Sequence, residues 1–362
     1  MNTIHEYVKQ YGRFTFQESP FNEVDNAVFS SLAYLDFSDC IEGEEEITIR
    51  FLARRYFKKN NTQKIRKNPH SIRQMIETFF LCSTVRRYQD IIVHHFRHII
   101  NETTQFQALC FTIAKGTMFV AFEGTDDSMV GWHEDFDMMH TFPIPSQKLA
   151  MEYLNQVITR KYHRVYVGGH SKGGNLAMTA CMYLPFWKQH KVKQIYNNDG
   201  PGFRKEEYES KEFKRIEKKL HVIIPESSVI GLLFYHKKDF QVVKSLGRGI
   251  YQHDLSNWLC YGAYFTPGTL TDEAKSQARR FSICFQKYSY AKKKEFVNIL
   301  FSLFKECNMT VFSEVTNPKI SKLIRLIHAS RKLDKESKEL LIDMFSIVLN
   351  NKVASKNETI AS

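Results

Sequence analysis

The chain has 362 residues, of which 43% are hydrophobic and 25% charged, ordinary values for a globular protein with a sizeable core. Its 51 Lys and Arg against 39 Asp and Glu leave a formal charge of +12 at pH 7, which favours anionic partners: acidic substrates, an anionic lipid surface or nucleic acid. No apolar run reaches the roughly 18 residues of a spanning helix, the first 25 residues carry Glu18, Glu23 and Asp25 and do not read as a signal peptide, and the seven scattered Cys include no C-x-x-C pair, so a cytoplasmic protein with reduced core thiols is expected rather than a disulfide framework or zinc site.

Residues 1–37 read as a helical lead-in, with Val24, Val28, Leu32 and Leu35 on one stripe. Residues 41–104 are expected to be mostly helical, broken at Asn60-Asn61 and Asn68-Pro69, with about 41–92 as an insertion. Arg50 to Arg73 holds nine Lys or Arg and no Asp or Glu. Such a run is most often a solvated helix face, and otherwise meets a membrane surface or a polyanion. No base-reading motif or zinc-finger spacing accompanies it, so nucleic-acid binding has charge alone behind it.

Two strands follow, 106–113 and 118–122, with Lys115-Gly116 as the hairpin turn. Gly124-Thr125 comes directly after the second strand, where the Thr125 amide is placed to serve an oxyanion hole; an ordinary strand-end turn is the plainer alternative. Asp126, Asp127, Asp135 and Asp137 cluster just beyond, but their spacing matches no calcium loop and no metal is expected. Residues 146–160 form an amphipathic helix.

Val165-Tyr166-Val167 is a short apolar strand that stops at Gly168-Gly169, and Leu176, Ala177, Ala180, Cys181 and Leu184 then repeat at helical spacing. Ser171 lies at the centre of Gly169-x-Ser171-x-Gly173, the pattern of a nucleophile elbow. A serine on so tight a strand-to-helix turn brings its neighbours close together, and side chains at Gly169 or Gly173 would clash. In return the hydroxyl stands above the sheet, and the Lys172 amide points from a helix N-terminus toward a developing oxyanion. A glycine-rich βα turn that binds phosphate is the alternative.

Further strands are expected at 194–198, 220–224 and 240–245, with a charged helix at 204–219. Strands alternating with helices predict a mainly parallel sheet covered on both faces. Active groups in such sheets gather at the carboxyl ends of strands, where Thr125, Ser171, Asp199 and Glu226 all fall. A serine hydroxyl needs a base. His253 follows the last strand, as the chain order Ser, acid, His requires; His133, expected in a loop after Gly124-Thr125, and His170 are rivals, and His170 is too near Ser171 in sequence to approach its hydroxyl well. Asp199 and Glu226 stand level as the acid of a Ser-His-acid triad. From about 271 the chain is helical, interrupted between Met309 and Ser321, as a cap or a helical layer on a 1–270 domain.

Phe122-Glu123-Gly124-Thr125, Gly131-Trp132, Asp135 and Gly169-His170-Ser171-Lys172-Gly173-Gly174-Asn175-Leu176-Ala177 together resemble the class 3 lipases of the α/β-hydrolase fold. The chain is more similar still to a bacterial family of lipase-related proteins, the Mbeg-like domain family. The residues that carry this are Pro20-Phe21-Asn22-Glu23-Val24-Asp25, Leu32-Ala33-Tyr34-Leu35-Asp36-Phe37, Gln105-Phe106-Gln107-Ala108, Asn198-Asp199-Gly200-Pro201-Gly202-Phe203, Pro225-Glu226-Ser227-Ser228-Val229-Ile230-Gly231, and Gln252-His253-Asp254 with Trp258. The resemblance runs from about residue 3 to 350. It implies an α/β-hydrolase fold and a serine esterase or lipase site needing no cofactor, and in class 3 lipases the acid takes the later position, that of Glu226. Glu123 stands where these families carry Arg and Lys172 where class 3 lipases carry Leu, so the charge beside the site is changed. The expectation is hydrolysis of acyl esters, with peripheral contact to anionic membrane. The alternative is a hydrolase-fold binding or scaffold protein without catalysis.

Overall fold

The computed structural model describes residues 2–311, 313–316, 320–331 and 333–349. Helices α1 (Ile4–Tyr11) and α2 (Glu23–Leu32) precede a two-residue edge strand, β1 (Ile47–Thr48), and helices α3 (Ile49–Lys59), α4 (Thr62–Lys67) and α5 (His70–Cys82). Strands β2 (Ile92–Ile100), β3 (Gln105–Ala114) and β4 (Thr117–Phe122) pair antiparallel. Helices then alternate with strands: α6 (Met129–Asp137), α7 (Pro145–Val157), β5 (Arg164–His170), α8 (Lys172–Met182), α9 (Phe186–Gln189), β6 (Val192–Asn198), α10 (Lys205–Tyr208), α11 (Lys211–Ile216), β7 (Leu220–Pro225) and β8 (Gln241–Val243). A small hairpin, β9 (Cys260–Tyr261) and β10 (Tyr264–Phe265), leads into α12 (Asp272–Lys287), α13 (Tyr290–Glu306), α14 (Ser313–Thr316), α15 (Ile320–Arg331) and α16 (Lys335–Leu349).

Strands β1 to β8 lie side by side in chain order, and β4 to β8 run parallel. With helices on both faces this is an α/β-hydrolase fold. The period of two along each strand divides the core. Phe119 and Ala121 of β4, with Leu109 and Phe111 of β3, pack under α1, α2, α3 and α5. Met118, Val120 and Phe122, with Ala108 and Cys110, pack under α7, α8 and α11. All of α8 is buried, so packing fixes the helix that the turn at Ser171 feeds. Among the described residues no helix is long and apolar enough to cross a membrane.

The lead-in is held by a buried ion pair. Arg87 donates to Asp25 through Nε at 2.8 Å and Nη2 at 2.5 Å, and Tyr88 and Tyr7 add hydroxyl donors to the same carboxylate. The remaining guanidinium hydrogens go to carbonyls of Phe14, Thr15, Ser19 and Pro20. Asp25 also closes the capping box of α2 with Asn22.

Three local expectations are corrected. Residues 92–100 form a strand, because the β-branched run at each end pairs with β3 and gains partners for its backbone. The stretch after Thr125 is not a plain loop: Ser128 accepts the Gly131 amide at 3.1 Å and opens α6. The single helix expected at 204–219 is three short pieces, α10, α11 and a 3-10 turn. Breaks at 60–61 and 68–69 lie where expected, at the caps of α3, α4 and α5.

The C-terminal helices build a third apolar cluster, including Phe285, Phe296, Leu300 and Phe304. It reaches the loops that follow the strands: the Phe301 ring stacks on His133 of α6 at 4.3 Å, and Ser313 donates twice to Asp127.

Candidate active site

Ser171 closes β5 and opens α8 with φ 56° and ψ −131°, a backbone region that costs an L-residue on the order of 1–3 kcal/mol. The glycines make this turn possible. A Cβ on Gly169 would lie 2.4 Å from the Gly173 backbone, and one on Gly173 would lie 2.2 Å from the Phe122 carbonyl oxygen. Lys172 is the first residue of α8, so its amide has no acceptor within the helix and sits at the positive end of the helix dipole.

Asp199 follows β6, the next strand. It has φ 51°, a left-handed geometry that Asp adopts more readily than most residues. Its side chain is buried, 1% exposed. Oδ1 accepts from the Ser228 hydroxyl at 2.5 Å and the Gly231 amide at 3.2 Å. Oδ2 lies 2.7 Å from His253 Nδ1. A carboxylate here accepts only, so Nδ1 carries the proton and Nε2 of the neutral ring is left as the basic nitrogen. His253 ends a short 3-10 helix, Gly249–His253, that is pinned by its neighbours: Gln252 accepts the Ser227 amide at 2.9 Å, and the Trp258 indole donates to the Gln252 carbonyl at 2.8 Å.

His170 holds this loop from below. Its Nε2 is 2.7 Å from the His253 carbonyl and its Nδ1 is 2.8 Å from the Tyr34 hydroxyl. A carbonyl can only accept, so Nε2 bears the proton and Nδ1 accepts from Tyr34. Burial, with His253 next to it, pushes the His170 imidazole well below its ordinary pKa, so the ring is neutral. The two imidazoles lie 4.3 Å apart. Tyr34 reaches this position because residue 124 is glycine: a Cβ there would fall 2.0 Å from the Tyr34 hydroxyl.

Behind the elbow lies a buried polar network. Lys172 Nζ donates to Gln105 Oε1 at 2.5 Å, to the Gln105 carbonyl at 3.1 Å and to Glu134 Oε2 at 3.3 Å. Glu134 also accepts the Gln105 and Ser146 amides at 3.0 and 2.8 Å. The Gln105 amide nitrogen donates to Glu123 Oε2 at 2.8 Å. Burial, and then the charge of Asp126, raises the Glu123 carboxyl well above the usual range. Lys172 is therefore paired with Glu134, and burial of Glu123 favours its uncharged form.

Thr125 Oγ1 donates to Asp135 Oδ2 at 2.5 Å. Burial brings the Asp135 pKa up to about 6, against the opposing pull of Lys172. The other acidic residues of this segment are separately engaged: Asp126 caps Ser128, Asp127 takes Ser313, and Asp137 faces His140 at 3.1 Å. Among the described residues no three His, Cys, Asp or Glu side chains are grouped to hold a metal.

The structure thus gathers Ser171, Asp199 and His253 at one end of the sheet, with the Ser171 amide donating at 3.0 Å to the carbonyl of Asn198. Glu226 stands apart from the imidazole: its Oε1 accepts the Thr269 amide at 3.3 Å, and its carbonyl accepts the Thr271 amide at 2.9 Å. His133 packs on Phe301. Sequence reasoning did not single out Tyr34, Gln105, Glu134, Ser228 or Gly231 for the site. Their contacts join positions up to 136 residues apart; Tyr34, Gln105, Ser228 and Gly231 lie in segments that carry the family resemblance, but local spacing assigns them no role.

Residues 82–302 match the model of the Mbeg1-like family. Among solved structures the chain is similar to one titled "Crystal structure of M37 lipase", at 14% identity and a TM-score of 0.31. That similarity covers 46% of this chain and 65% of the other. No curated protein matches the sequence. The family match spans more than half of the chain, and the protein belongs to the Mbeg1-like family.

Proposed function

We propose that the protein is a serine hydrolase of esterase or lipase type. His253 Nε2 takes the Ser171 proton as Oγ bonds to the acyl carbon, and the carbonyl oxygen becomes an oxyanion. The amides of Thr125 and Lys172 receive that charge, each such donor contributing about 3 kcal/mol of transition-state stabilisation. When the intermediate collapses, the ester C–O bond breaks and His253 returns the proton to the leaving alcohol. Water then repeats the sequence on the acyl-enzyme and releases the acid. Asp199 holds the ring in the required tautomer, and Glu226 positions the segment before α12.

The observation that carries this reading is the buried Asp199 carboxylate at 2.7 Å from His253 Nδ1, one strand away from a serine held at positive φ. The changed charges at 123, Glu in place of Arg, and at 172, Lys in place of the Leu of class 3 lipases, are the feature that favours an inactive binding protein. Both side chains are engaged behind the elbow, by way of Gln105, which supports a functioning oxyanion loop. Residues 1–270 carry the machinery, and the helices from 271 onward form a layer against α6.

The test is labelling by a fluorophosphonate probe, with p-nitrophenyl esters from acetate to palmitate to set chain preference. Labelling is expected in the wild type and lost in Ser171→Ala and His253→Ala. A folded wild type that stays unlabelled, with and without lipid vesicles, overturns the proposal.

A further inference from the structure

At the N-terminal edge of the parallel strands, opposite Ser171, helix α9 projects two adjacent aromatic side chains, Phe186 at 69% and Trp187 at 56% exposure. Tyr183, just before α9, is 45% exposed. Large rings left in water on one turn of helix mark a contact surface. Their setting is cationic. The Lys188 and Lys191 ammonium groups lie 4.8 and 5.9 Å from the Trp187 ring centroid. Lys191 Nζ donates to the Thr159 carbonyl at 2.8 Å, and Lys188 Nζ to the Asn155 carbonyl. Carbonyl acceptors hold these amines in place without neutralising them. Arg160 lies ahead of β5 and Arg164 opens it, Lys193 is the second residue of β6, and Lys218 comes before β7, all exposed. Of the ion pairs among the described residues, those near this edge engage Lys161, Lys214, Arg215 and Lys237, so Arg160, Arg164, Lys188, Lys191, Lys193 and Lys218 have no carboxylate partner among the described residues.

We propose that this edge docks on an anionic lipid surface, with Phe186 and Trp187 inserted among the headgroups and the surrounding Lys and Arg on their phosphates and carboxylates. Charge complementarity and ring placement favour lipid over nucleic acid. Base stacking needs an open ring face, and two ammonium groups stand over that of Trp187. α9 is also a projecting tip and offers no groove for a strand. β5 and β6 are seven residues long, so docking holds the serine about 20 Å from the surface, facing solvent. The docking itself does not depend on catalysis.

The experiment uses the full chain with phosphatidylcholine vesicles, with or without phosphatidylserine, at low salt. Binding is read by co-sedimentation and by tryptophan emission; of the three tryptophans Trp258 is fully buried, Trp132 half-buried and Trp187 exposed, so a blue shift that disappears in Trp187→Phe reports insertion. Binding is expected only with phosphatidylserine and to weaken with salt. Reversing Lys193 and Lys218 to Glu should lower partitioning at least about thirtyfold, from roughly fivefold per cation. Phe186→Ser with Trp187→Ser should lower it at least about tenfold. These side chains are exposed, and unchanged thermal melts and far-UV circular dichroism certify the fold of each variant. Equal binding to neutral vesicles, absence of binding, loss that instead follows Arg54→Glu with Lys58→Glu on α3, or displacement from vesicles by an RNA oligonucleotide would each overturn the proposal.

Discussion

Replacing Asp199 by Asn tests the candidate site at one atom. Oδ1 already accepts two donors, the Ser228 hydroxyl at 2.5 Å and the Gly231 amide at 3.2 Å. Only the carbonyl oxygen of Asn can occupy that position. The opposite orientation would set an NH2 group against the Gly231 N–H, which keeps only its 3.1 Å bond to the Ser228 hydroxyl oxygen, and would take away the acceptor of the Ser228 O–H, at a cost of about 1–3 kcal/mol. The NH2 group therefore takes the place of Oδ2, 2.7 Å from His253 Nδ1. A donor at that point demands a lone pair on Nδ1 and moves the ring proton to Nε2. That tautomer cannot accept a proton from Ser171. An acid-to-amide change of this kind lowers triad turnover about 10,000-fold, or about 5.5 kcal/mol of barrier. The assay is the second-order rate of fluorophosphonate labelling, paired with p-nitrophenyl acetate hydrolysis and a thermal melt. Glu226→Gln is the control, and its rate is expected to match wild type because Gln can still accept the Thr269 amide. Asp199→Asn retaining more than about a tenth of the wild-type rate, or Glu226→Gln falling as far, refutes the assignment of the acid.

Three further outcomes concern stability. Lys172→Met should cost about 3 kcal/mol in urea unfolding, because Gln105 Oε1 and Glu134 lose a buried donor; adding Glu134→Gln should recover part of it, and a loss common to both variants would place the cause elsewhere. Arg87→Met should cost about 3–5 kcal/mol by stranding Asp25 in the core, and a change under about 1 kcal/mol would show that the two tyrosine hydroxyls suffice for the carboxylate. Burial, then the neighbouring His95, lowers His94 from 6.5 to about 4. Between those values the unfolded chain binds a proton that the folded one does not, so stability falls as pH falls through that window. From pH 7 to 5 the wild type should lose about 2 kcal/mol more than His94→Gln, and parallel pH profiles for the two would dismiss the assignment.

The elbow was legible because it is local. Gly169-x-Ser171-x-Gly173 between an apolar strand and a helical repeat specifies its own backbone, and the Cβ positions that would collide with Gly173 and Phe122 show why. The alternation of strands and helices from 117 to 225 likewise carries its own period, and it placed Thr125, Ser171, Asp199 and Glu226 at strand ends before any coordinate. Strand β2 was not legible, since a bulge between His94 and Arg97 breaks the alternation and only pairing with β3 makes the segment a strand. Helix α6 depends on a single Ser128 cap and on packing against the C-terminal helices.

By itself, then, the sequence determined the class of sheet, the position of the serine and the set of residues at its edge, because periodicity and turn geometry act over a few residues. Which carboxylate meets His253 was a tertiary decision. Asp199 and Glu226 end neighbouring strands and look alike along the chain. The Ser228 and Gly231 donors orient one of them toward the imidazole, while Thr269 and Thr271 draw the other toward α12. The side chains at 123 and 172 followed the same rule. They read as two separate departures in the sequence, and only the fold brings Gln105 and Glu134 between and beside them to make a buried network in which Lys172 is compensated, because an ammonium group removed from water must find its partners wherever the chain can deliver them.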